Sequence, residues 1–236
     1  MANPVLSPLA SASRVLLLRN RTLARRALKH GIGIVLLSLA ALFPAMAHAG
    51  AYDDFFKALQ LDLAPSVKSL LNRGFDPNTV DTTRGDPALV YAIRFQSVKS
   101  IPLLLASPQI NIEARAPNGD TALMVAAYKA EKDIVAALLA KGAEPNRPGW
   151  TALHYAAASG SLDIVRMLLE KSAYIDASSP NKTTPLMMAA GGGQTAVMKL
   201  LIEEGADQTL RNDLGLTARD FAAKFADVRR EPSPYP

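Results

Sequence analysis

Cysteine is absent from all 236 residues, which excludes disulfides and thiol chemistry. Histidine is nearly absent, and beyond residue 50 only His154 remains. A zinc-type site needs several nitrogen or sulfur ligands at suitable spacing, so that chemistry has no ligand set. The closely spaced acids of a calcium loop are missing too. Aromatic residues make up 6% of the chain, with a single tryptophan, so each aromatic that falls outside an apolar pattern stands out. Acids are missing from the whole opening stretch, the first being Asp53.

That acid-free opening carries Arg14, Arg19, Arg21, Arg25, Arg26 and Lys29, then an apolar run from Ile32 to Phe43, then Pro44 and Ala47-His48-Ala49. Basic start, apolar middle and Ala-x-Ala end describe a secretory signal peptide over residues 1–49. The pattern places cleavage between Ala49 and Gly50. The alternative is an uncleaved anchor in the inner membrane, for which Ile32 to Ala49 is short against the roughly 20 apolar residues a span needs. Arg25-Arg26 faintly suggests a twin-arginine signal, but the leucine-rich middle suits the general route. The leader also owns the charge. The chain has 26 bases and 21 acids, and six of the bases precede residue 50. From residue 50 onward there are 20 bases against 21 acids, leaving no basic stripe for nucleic acid.

What is present is one phrase repeated. It reads Gly-Asp-Pro-Ala-Leu at 85–89, Gly-Asp-Thr-Ala-Leu-Met-Val-Ala-Ala at 119–127 and Gly-Trp-Thr-Ala-Leu-His-Tyr-Ala-Ala at 149–157. It returns as Lys-Thr-Thr-Pro-Leu-Met-Met-Ala-Ala at 182–190 and Gly-Leu-Thr-Ala-Arg-Asp-Phe-Ala-Ala at 215–223. Measured at Pro87, Thr121, Thr151, Thr184 and Thr217, the steps are 34, 30, 33 and 33 residues, the period of stacked repeats. Leu123, Ala126 and Ala127 share one helix face, and Ile134, Val135, Leu138 and Leu139 share another. Gly142 and Gly205 come just after aliphatic runs, where a helix end wants a left-handed residue. Asn118-Gly119 and Asp213-Leu214-Gly215 are turn chemistry. Each unit is therefore a turn, two short helices and a turn, and such a pair buries its apolar face only by stacking.

At these residues the chain resembles the ankyrin repeat, a 33-residue unit with the phrase T-P-L-H-x-A. Thr151, Leu153, His154 and Ala156 match it, as do Thr184, Pro185, Leu186 and Ala189. The second half of the unit recurs as Ile164-Val165 with Leu168-Leu169 and as Leu200-Leu201 with Gly205-Ala206-Asp207. The resemblance implies an all-α ankyrin-repeat solenoid of five to six helix-turn-helix units including caps. The units fall at about 51–81, 82–115, 116–147, 148–178 and 179–211, with a cap at 212–226 and a disordered tail at 227–236. Three departures carry expectations. Pro102 predicts a distorted outer helix. The short step predicts a truncated finger at Asn146-Arg147-Pro148-Gly149. Gly191-Gly192-Gly193 predicts a loosened end to its inner helix.

The resemblance also implies a concave surface built from finger tips and inner helices. Carried over copy by copy, it offers Arg94 and Phe95, Asn118, Asp120, Tyr128 and Lys129, Arg147 and Trp150, and Asn181. Phe95, Tyr128 and Trp150 lie outside the packing phrase, and aromatics and Arg are enriched at binding hot spots. The shortened finger makes Trp150 the leading candidate. His154 is a general base or metal ligand on one reading. On the other it resembles the family histidine that hydrogen-bonds within and between repeats. No nucleophile–base pair supports catalysis. The expectation is an exported bacterial module in the periplasm, without enzyme activity, cofactor or metal. It binds another protein but no nucleic acid, has no membrane contact after leader cleavage, and is a monomer. A host-targeted effector is a further alternative.

Overall fold

Each copy of the repeated phrase starts a helix, and in several copies a threonine hydroxyl caps it. Thr121 and Thr184 hold extended backbone, and their hydroxyls accept the amides of Met124 at 3.4 Å and Met187 at 3.3 Å. This satisfies an amide that has no partner inside the helix. The computed structural model describes residues 50–230. The leader, with Ala49, and the tail from Glu231 lie outside the described residues. Helix α1 covers residues 50–60. Next come α2 (Ala64–Asn72), α3 (Ala88–Arg94), α4 (Ile101–Ala106), α5 (Ala122–Tyr128), α6 (Lys132–Ala140), α7 (Ala152–Ser159), α8 (Leu162–Glu170), α9 (Pro185–Gly191), α10 (Thr195–Glu203) and α11 (Ala218–Arg230).

From α3 onward the helices begun by the phrase pack in chain order, α3 on α5, α5 on α7, α7 on α9 and α9 on α11. The intervening helices form the outer row, with α6 on α8 and α8 on α10. Alanine pairs make the inner row thin. Ala126, Ala127, Ala156, Ala157, Ala189 and Ala190 are all fully buried, so neighbouring helices approach closely. Larger side chains fill the space between rows, including Leu138, Leu153, Ile164 and Leu168, none with any exposure. Burial of each such side chain contributes about 1.5–3 kcal/mol. The described part is an all-α repeat solenoid, as the spacing predicts.

Between inner and outer helices the chain reverses on one left-handed residue per repeat. These are Asp62, Gln96, Ala130, Gly160 and Gly193, with φ of 50°, 56°, 58°, 75° and 66°. At Gly160 a Cβ would lie 2.2 Å from the amide end of the Gln194 side chain, which would have to turn aside for any larger residue. The fingers close differently. The Asp81 amide donates to Asp86 O (2.9 Å), Ala116 to Asp120 O (2.9 Å), Ser179 to Thr183 O (3.1 Å) and Asn212 to Leu216 O (3.0 Å). Among the described residues no equivalent bond closes the three-residue-shorter finger at 146–150. A side-chain ladder runs behind the fingers. Asn78 bridges Gln109 O and the Asn111 amide, and Asn146 bridges Ser172 O and the Tyr174 amide. Glu113 accepts from the Glu144 amide, and Asp176 from that of Asp207. Each rung ties one repeat to the next.

Two expectations are corrected. Pro102 does not distort its helix. It sits in the first turn, where a missing N–H loses no bond. What changes is length, six residues in α4 against nine in α2, α6, α8 and α10. The tail does not begin at residue 227, because α11 is helical for 13 residues to Arg230. Asp220 accepts the Thr217 amide and hydroxyl, both at 2.8 Å, and starts it. The next helix-breaking residue in the sequence is Pro232. Gly191 has a packing role, since a Cβ there would stand 3.1 Å from the Phe221 ring. Among the described residues no helix is long and apolar enough to cross a membrane.

Candidate functional site

The residue just before each helix-starting position belongs to a finger tip, and in this chain those residues are Asp86, Asp120, Trp150, Thr183 and Leu216. Asp120 organises its surroundings. Its carboxylate accepts hydrogen bonds from Asn118 Nδ2 at 2.6 Å, Arg94 Nη2 at 3.3 Å and Tyr155 Oη at 2.7 Å. One buried carboxylate thus joins the end of α3, the finger before α5 and the face of α7. Arg94 Nε also lies 3.0 Å from Asp86 Oδ2. That contact is an ion pair without hydrogen-bond alignment. Burial raises the Asp86 carboxyl above its ordinary value, and Arg94 opposes the rise. Burial and the bond to Asp120 push the Tyr155 phenol well above its ordinary range, so it stays a donor.

These groups border a cleft of about 420 Å³. Five residues singled out in the sequence meet there: Arg94, Asn118, Asp120, Tyr128 and Lys129. Arg84, Val125 and Tyr155 complete it. Tyr128 is 60% exposed and meets Tyr155 edge to face, ring centres 6.0 Å apart. An exposed ring held by a neighbour presents area without the entropy of a free side chain.

The other four candidates lie elsewhere. Phe95 stacks on Tyr91 at 4.4 Å, under the Arg84 guanidinium at 5.7 Å. Arg147 is committed to Glu113. Asn181 accepts from Ser179 Oγ and closes its own finger tip. Trp150 is half-buried, edge-on to His154 at 5.2 Å and 6.5 Å from Tyr155. It buttresses the rings of the cleft and does not line it.

Tyr155 is the residue missed in the sequence. It falls inside the repeated phrase, where every residue reads as packing. The signal lies in its column, Tyr91, Val125, Tyr155, Met188 and Phe221, one of the places in the phrase where residue type is not held. His154 takes the structural role. Its Nδ1 faces the Thr151 amide at 3.2 Å and hydroxyl at 2.9 Å, and its Nε2 faces Thr183 O at 2.9 Å. An amide can only donate, so Nδ1 accepts and Nε2–H donates across to the next repeat. Among the described residues no group of acids and histidines is placed to hold a metal.

Known proteins share this pattern. A family model described as ankyrin repeats (3 copies) matches residues 55–148, 109–179 and 133–212. Transient receptor potential cation channel subfamily A member 1 of Homo sapiens is 29% identical over 160 residues, covering 63% of this chain and 14% of that protein. Protein fem-1 homolog A-like of Mus musculus is 35% identical over 140 residues, 58% of this chain and 21% of that protein. A putative ankyrin repeat-containing protein of Treponema pallidum is 30% identical over 113 residues, 46% of this chain and 38% of that protein. The chain therefore spans well under two thirds of the length of these relatives.

Proposed function

The chain belongs to the ankyrin-repeat family, and from that premise we propose that it is a non-catalytic module that holds a partner protein against its finger face. Ankyrin repeats are in general protein–protein interaction modules. The observation that carries the reading here is the cleft around Asp120, where three successive repeats present an exposed tyrosine, two further cations and a saturated polar base. Binding of this kind stabilises, sequesters or inhibits the partner.

The test is recovery of a partner by the wild-type chain and by Tyr128→Ala, side by side. Most of the Tyr128 side chain faces solvent, so its loss falls on binding rather than on the fold. A central aromatic anchor costs more than about 1.4 kcal/mol when truncated, and a drop in affinity of at least about tenfold is expected. A partner held equally by both proteins would move the binding surface elsewhere.

The module is exported to the periplasm, in keeping with the basic, apolar and Ala-x-Ala segments that precede Gly50. N-terminal sequencing of the protein recovered from its cell envelope is expected to begin at Gly50. A start at Met1 or Ala2 would replace export by membrane anchoring.

A further inference from the structure

The charges around the cleft are unequal, and their pairing says what fits there. Three cations line it, Arg84, Arg94 and Lys129, against one carboxylate, Asp120. Arg94 is spent on Asp86 and Asp120. Arg84 and Lys129 are different, since among the described residues neither has a carboxylate within ion-pair distance. Arg84 is exposed and rests over the Phe95 ring. Lys129 comes directly after Tyr128 at the end of α5. The same cleft is lined by Val125 and by the Tyr128 and Tyr155 rings.

We infer that the occupant is an extended acidic segment of the partner protein, with carboxylates for Arg84 and Lys129 and an apolar side chain for the Val125–Tyr128–Tyr155 surface. This rests on the finger-face reading above and adds the partner's chemistry to it. Complementary charge across an interface sets which partner binds and how fast. A nucleic-acid backbone is the poorer occupant. It is recognised by many phosphate contacts, whereas this face offers two free cations in a chain that carries one more acid than base from residue 50 onward.

The experiment selects 12-residue peptides from a random phage-displayed library on the full chain, then measures each peptide against wild type, Arg84→Glu/Lys129→Glu and Tyr128→Ala. All three substituted side chains are exposed or half-buried, and unchanged circular dichroism and melting midpoint will show the variants folded. The inference expects Asp or Glu together with an apolar residue, affinity falling with added NaCl, and a loss of about 10- to 100-fold in the double charge reversal. Peptides that lose affinity in Tyr128→Ala but not in the charge reversal would overturn the acidic class and leave the finger face standing. Peptides indifferent to both variants would overturn both readings. No acidic enrichment, no selected peptide at all, or a labelled 20-nucleotide single-stranded DNA that binds more tightly than every acidic peptide, would each overturn the acidic segment.

Discussion

Replacing Asp120 with alanine is expected to lower the unfolding free energy by about 2–4 kcal/mol and to weaken partner binding with it. The residue is 8% exposed and its carboxylate serves three donors from three repeats. Its removal strands the Tyr155 hydroxyl and half-frees Arg94. A hydrogen bond deleted from one side costs more than it contributed, because the remaining partner is desolvated and unmatched. Arg94 limits the damage, since its side chain is 26% exposed and keeps Asp86. Asp120→Asn retains an acceptor for Tyr155, and its cost should be smaller, about 1–2 kcal/mol. Urea unfolding of both variants measures the difference. An alanine variant within about 0.5 kcal/mol of wild type, the range of ordinary surface substitutions, would show that the carboxylate does not organise the cleft.

His154→Met should cost about 1–3 kcal/mol and remove a pH dependence. The chain supplies the comparison itself, because Met124 and Met187 occupy the same place in their repeats. The Thr121 amide meets Met124 Sδ at 3.5 Å, so a methionine at 154 can replace the Nδ1 acceptor. It cannot replace the Nε2–H donor, and the Thr183 carbonyl, 2.9 Å from Nε2, loses its partner. Burial lowers the His154 pKa below its ordinary value of 6.5, with the Thr183 bond opposing. The unfolded chain therefore takes up a proton below about pH 6.5 while the folded chain stays neutral. Stability from this residue is complete above that pH and falls as pH drops from there through the folded value. Urea unfolding at steps from pH 8 to 5 should show the decline in wild type and a shallower one in His154→Met. An unchanged slope would assign the dependence to other groups.

Much of the fold is legible in the sequence because stacking repeats its demands. Thr121, Thr184 and Thr217 start helices for one reason, and the alanine pairs are small for one reason, so copies in sequence report copies in space. The shortened finger is legible as a departure, since a loss of three residues has to remove something, and it removes the closing backbone bond. Other features are hidden because they depend on pairs that periodicity does not encode. Trp150 reads as a free aromatic and is engaged by His154 and Tyr155. Arg147 reads as a free cation and belongs to Glu113, 34 positions earlier. Tyr155 reads as core and faces the cleft. The last turn of α11 reads as tail because apolar periodicity ends there, yet a capped helix continues on local propensity until a breaker intervenes.

The ladder of Asn78, Glu113, Asn146 and Asp176 joins adjacent repeats only, and no rung reaches past its neighbour. Energetically the stack is then a line of nearest-neighbour couplings. Such a line loosens from its ends inward, one repeat at a time, while an interior pair such as α7 and α8 is held from both sides. The Asp120 cleft spans α3, α5 and α7, so its integrity requires two successive couplings to be intact together. A protein bound across three repeats would act as a clasp on both, raising the cooperativity of the segment it covers.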